Sequence, residues 1–180
     1  MDRRKALRKM SLAIGGFAIT PPILSVFASC TSDKIEVDYF LLSKEHSFVV
    51  DLLVSVILPI ADVKTNYTEF IDKMLYHTVS KENQQLFKVG YLEFEKNYQH
   101  VFNKEISKAS KSDIQETVVQ YFWISKRKEE AVFTLLEKDF SLVDESQKAE
   151  YLNYYFLTTV RYYCLLGYCT SEYYEKPVFM

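Results

Sequence analysis

From Ser43 onward, apolar residues return at helical spacing. Phe48, Val49, Leu52, Leu53, Val56 and Ile57 share one face until Pro59 stops the run, and Ser43 stands where an N-cap belongs. A second helix is expected from Tyr67 to His77, with Phe70, Ile71, Met74 and Leu75 inward. Ser80 heads a third, in which Phe87, Tyr91, Phe94, Tyr98 and Phe102 recur at spacings of four and three. Asn103 to Ser112 is polar and reads as a loop, although its lysines and serines also fit a helix. Ser110 or Ser112 then caps a fourth helix through Val118, Val119, Phe122 and Trp123, and a fifth spans Lys128 to Phe140 with Val132, Leu135 and Leu136 inward. No strand-like alternation or Asn-Gly hairpin signal interrupts this pattern. Glycine, which β-rich folds need at their turns, occurs beyond residue 30 only at Gly90 and Gly167. The pattern predicts an all-α fold, a compact bundle of about five or six helices over residues 43–180.

The last long helix differs in kind. From Tyr151 through Tyr154, Tyr155, Phe156, Leu157, Val160, Tyr162, Tyr163, Leu165 and Leu166 it is apolar or aromatic nearly all round, which means burial on more than one side. Arg161 interrupts it, so it does not read as a membrane span. Either it is the central helix of the bundle, or its second face is covered by another protein. Gly167 is placed to end it in the left-handed conformation, after which Thr170 or Ser171 caps a new turn carrying Glu172. Cys164 and Cys169 lie five apart there, too far for a disulfide along an unbroken helix and within reach if Gly167 breaks it.

The first 29 residues stand apart from this pattern. Arg3-Arg4 opens a basic run, with Leu7 and Lys9 where the twin-arginine export pattern wants an apolar residue and a lysine, and a weakly apolar stretch leads to Phe27-Ala28-Ser29-Cys30. Gly15, Gly16, Thr20, Pro21 and Pro22 make the stretch a processed leader, too short and too polar for an anchor of about 20 apolar residues. Cys30 is the expected lipidation site, and residues 30–42 the expected tether. The periplasmic side of a bacterial membrane is then the expected location.

Removing the leader changes the charge. The chain holds 22 Lys plus Arg and 24 Asp plus Glu, of which the leader has five and one, so residues 30–180 carry 17 − 23 = −6. That balance argues against nucleic acid or an anionic bilayer as the partner. Catalytic and cofactor patterns are weak: there is no Gly-x-Gly turn, and the cysteines match no haem, iron–sulfur or zinc spacing. His46, His77 and His100 are widely separated beside polar residues, where capping or solvent-exposed roles fit better than a metal site. Asp51, Asp62, Glu69 and Asp72 gather around Pro59, and carboxylates so placed usually satisfy backbone N–H groups.

Several pieces in one order resemble the gluconate 2-dehydrogenase subunit 3 family. They are the twin-arginine leader, Val56-Ile57-Leu58-Pro59-Ile60-Ala61-Asp62, Glu69-Phe70-Ile71-Asp72-Lys73-Met74-Leu75, and Leu165-Leu166-Gly167-Tyr168-Cys169-Thr170-Ser171-Glu172. The chain departs from the family where Val63-Lys64-Thr65-Asn66 replaces a Thr-Pro-Gly-type turn and where Cys169 replaces an aromatic residue. The resemblance implies a small helical subunit of a membrane-associated dehydrogenase. It implies a large partner of the glucose–methanol–choline type carrying FAD, often with a cytochrome c, and exported by association with the signal-bearing subunit. No catalytic residue, cofactor or metal is expected on this chain. Leu166, Gly167, Tyr168, Thr170, Ser171, Glu172 and Tyr173 are the expected partner contacts. The alternative from another class is a free-standing periplasmic lipoprotein whose helical domain binds a ligand or a structural partner.

Overall fold

The computed structural model describes residues 39–59 and 65–170. The leader, Cys30, Asp62, Ser171, Glu172 and Tyr173 lie outside the described residues. Within them are six α-helices: α1 (Lys44–Ile57), α2 (Tyr67–Thr78), α3 (Lys81–Phe102), α4 (Lys111–Phe122), α5 (Lys126–Leu136) and α6 (Glu145–Thr170), with 3-10 turns at Ile106–Lys108 and Phe140–Leu142. The all-α expectation is met.

Helix starts follow side-chain chemistry. Ser43 Oγ accepts the His46 N–H at 3.2 Å, and His46 Nδ1 accepts the Ser43 N–H at 3.2 Å, a capping box with histidine in the usual Glu or Gln place. Asn66, Ser80, Ser110 and Ser125 cap the next four helices. The end of α2 is closed from outside: the Gln84 side-chain amide donates to the carbonyls of Leu75, Tyr76 and Val79 at 2.9–3.0 Å, filling acceptors that a helix end leaves open.

α6 is the centre of the bundle, packing against α1, α2, α3 and α5. Phe156 is fully buried, with its ring 5.1 Å from Phe87, 5.7 Å from Tyr91 and 5.2 Å from Phe94. A smaller cluster of Leu135, Val143 and Tyr151 seals α5 against the start of α6.

Gly167 does not end α6, which continues to Thr170. A Cβ there would stand 3.0 Å from the Phe70 ring and 3.1 Å from that of Tyr67, so the glycine lets α6 cross α2 closely. Cys164 and Cys169 therefore sit on one unbroken helix, and both thiols are free. Burial pushes the Cys164 thiol up to about 12, which keeps it protonated and unreactive at neutral pH. α6 also starts earlier than its aromatic run, at Glu145.

Other boundaries shift for local reasons. α5 runs from Lys126 to Leu136, and Phe140 belongs to a separate turn in which Asp139 accepts from the Ser141 N–H at 2.8 Å and its hydroxyl at 2.6 Å. Within the expected 103–112 loop, Ile106 is buried, and α4 begins at Lys111 with Ser110 as its cap. On α4 the buried residues are Ile114 and Thr117; of the residues expected along this helix, Val119 is 47% exposed, and Trp123, which is its C-cap, 86%.

The base of α4 is an electrostatic knot. The Asp113 carboxylate receives Lys104 Nζ at 2.6 Å, the Ser110 N–H at 2.8 Å and the Tyr98 hydroxyl at 2.9 Å. Lys104 first, then the Ser110 N–H, hold its pKa well below the usual carboxylate range. A depressed folded-state pKa stabilises fully above the unfolded value of about 4 and is lost as pH falls through and below it. Acid titration by circular dichroism should show wild type losing stability below about pH 4, with Asp113→Asn removing part of that slope. Superimposable acid profiles would rule the knot out as a contributor.

Candidate partner-docking surface

The domain opens on a clamp. Asp72, 1% exposed on α2, accepts the backbone N–H groups of Phe40 at 2.7 Å and Leu41 at 2.9 Å, and that of Leu42 at 2.8 Å. A carboxylate in this neighbourhood does satisfy backbone donors, as its position suggested, but they belong to a segment some thirty residues earlier. The end of the expected tether is thus bound to the domain, with Leu42 buried. Phe40 stacks on Tyr76 at 5.1 Å between ring centroids. Asp51 accepts the Thr68 hydroxyl beside a cleft of about 480 Å³ between α1 and the start of α2, lined by Phe48, Leu52, Leu58 and Tyr67 among others.

The histidines do not converge. His46 caps α1 with its ring 4.1 Å from that of Tyr91, His77 lies against Tyr76, and His100 is exposed. Among the described residues no group of three His, Cys, Asp or Glu side chains is arranged to hold a metal ion. No helix among them is long and apolar enough to cross a membrane.

Of the expected partner contacts, the structure separates two kinds. Leu166 and Gly167 are buried and committed to the chain's own core, with Gly167 against Phe70 and Tyr67. Tyr168 and Thr170 are half-buried, and the Thr170 hydroxyl donates to the Leu166 carbonyl at 2.9 Å. The central-helix reading of α6 is met, with most residues from Tyr151 onward buried, and Thr158, Arg161, Tyr162, Leu165, Tyr168 and Cys169 are half-open. Steps of three and four place these six on one stripe. Sequence reasoning missed Trp123 as a surface residue. The one signal pointing that way was the Lys126-Arg127-Lys128 run just after it, since such charge stays solvated.

The fold and this surface define a small all-helical domain with a half-open face on its central helix. The family model described as gluconate 2-dehydrogenase subunit 3 matches residues 44–178, and the chain belongs to that family. It is by family an accessory subunit of a dehydrogenase complex. No curated protein and no solved structure matches it.

Proposed function

We propose that the chain is a non-catalytic escort and anchoring subunit of a flavin-dependent sugar or sugar-acid dehydrogenase of the glucose–methanol–choline type. The family match across the whole helical domain carries this reading, and the leader agrees with it. Arg3, Arg4, Leu7 and Lys9 form the export signal, and Cys30 takes the lipid that holds the complex on the periplasmic side of the membrane. A twin-arginine route serves cargo that folds, and commonly takes up a cofactor, before export. FAD then sits on the large partner, which hands electrons to an acceptor such as a cytochrome c. This chain docks the partner through the end of α6, where Tyr168 and Thr170 are half-buried and Ser171, Glu172 and Tyr173 follow in sequence. Leu166 and Gly167 support that corner from beneath.

Replacing Arg3 and Arg4 together by lysine tests the proposal. Export of both this chain and its flavoprotein should stop, read as dehydrogenase activity in periplasmic and cytoplasmic fractions. Undiminished periplasmic activity would refute the escort role.

A further inference from the structure

Arg161 is half-buried with its guanidinium carbon 4.6 Å above the Phe122 ring, and among the described residues it forms no ion pair. Burial pulls its pKa down, and only the field of Glu129 acts the other way. A guanidinium stays charged in proteins and offers five N–H donors. Half-buried and given no acceptor by the described residues, it is placed to pair with oxygens that an arriving partner brings.

The residue after Phe122 is Trp123, which caps α4 and is 86% exposed. Residues 117–128 then contain Lys126, Arg127 and Lys128 and no acidic residue. Lys128 is matched by Glu150 and Lys126 loosely by Glu130 at 3.9 Å, whereas Arg127 forms no ion pair among the described residues. These three basic residues lie together at the elbow between α4 and α5, flanked by Glu116, Glu129 and Glu130, on a domain (residues 43–180) whose net charge is 16 − 20 = −4. Arg161 also belongs to the half-open stripe of α6, about 10 Å along the helix from Tyr168. Elbow and stripe are therefore continuous through the Phe122–Arg161 contact.

We propose that the dehydrogenase partner lies along the α6 stripe and closes over the α4–α5 elbow, burying Trp123 as an anchor and pairing a carboxylate with Arg161. This rests on the accessory-subunit reading and names the face and chemistry by which the partner is held. Tryptophan and arginine are the residue types that dominate interface anchors. The surface runs about 10 Å along α6 from Arg161 to Tyr168, and the Phe122–Arg161 contact carries it on to the elbow that holds Trp123. A second copy of this chain does not fit, because a two-fold contact would set the stripe against itself and none of its six residues is acidic. A bilayer fits less well, because Glu116, Glu129 and Glu130 are exposed around the elbow and the domain is acidic overall.

The full chain, co-produced with its dehydrogenase subunit, provides the test. Trp123→Ala and Arg161→Glu should each weaken partner binding by about tenfold or more, and Arg161→Lys should weaken it less. Leu142→Ser, at a residue 77% exposed near the start of α6 and away from the stripe, should leave binding unchanged. Trp123→Ala should also keep the wild-type melting temperature, since the ring covers little of the domain. Wild-type binding with Trp123→Ala bound equally well would overturn the proposal. So would a Trp123→Ala variant that keeps its partner but loses binding to anionic phospholipid vesicles, or one that loses only self-association. A wild-type chain that binds no dehydrogenase subunit would bring down the accessory reading, and this inference with it.

Discussion

Alanine at position 90 is expected to destabilise the domain by about 2 kcal/mol, against the ~1 kcal/mol that alanine gains over glycine in a helix. The added Cβ would stand 2.9 Å from the Leu152 carbonyl oxygen and 3.1 Å from the Phe156 Cβ. The first is backbone and cannot swing aside, so α3 and α6 must separate where they cross. Separation loosens Phe87, Tyr91 and Phe94 around Phe156, the densest part of the core. Urea unfolding should show a lower midpoint with little change in slope, and thermal unfolding a drop of about 6 °C. An unchanged or raised midpoint would mean that the crossing has slack. Gly167→Ala should be milder, because its neighbours are the rings of Phe70 and Tyr67 and a ring can tilt.

Asp72→Ala should destabilise by about 3 kcal/mol, because it strips the acceptor from three backbone donors, of which the Leu42 N–H is buried. Asp72→Asn should fall between, since the amide keeps one acceptor oxygen and turns an NH₂ group toward donors. Amide hydrogen exchange distinguishes the clamp from a general loss of stability. The Leu42 N–H should lose its protection under conditions where the core of α3 keeps its own. A protected Leu42 amide in the alanine variant would show that burial of its side chain alone holds the segment.

Helix positions were legible because burial imposes a period and caps impose a residue type. Ser43, Ser80 and the stripe from Phe87 to Tyr98 carried both marks, and their helices formed where the pattern put them. The start of α6 was not legible, because Glu145 to Glu150 is polar and its helical state follows from the aromatic run it extends. Gly167 misled for a different reason: the same absent Cβ permits a left-handed helix end or a close crossing, and only Phe70 and Tyr67 decide. Trp123 shows that hydrophobicity marks what can be covered without saying what covers it. The Asp72 clamp left no trace at its donor end, because backbone N–H groups are the same in every residue but proline. The order of motifs carried the family, while the stripe on α6 emerged only once packing had decided which of its residues stayed half-open.

The helix that unites the bundle follows the other five described helices in the chain. During synthesis α1 can pack on α2 and α4 once those have emerged, but α2, α3 and α5 leave the ribosome with apolar faces whose main partner is residues 145–170, still to arrive. Closure of the core is therefore a late step built from contacts distant in sequence, the kind that loop-closure entropy makes slow. For the export role proposed above, which takes only folded cargo, the position of α6 sets a delay between synthesis of residues 1–29 and completion of a passable domain.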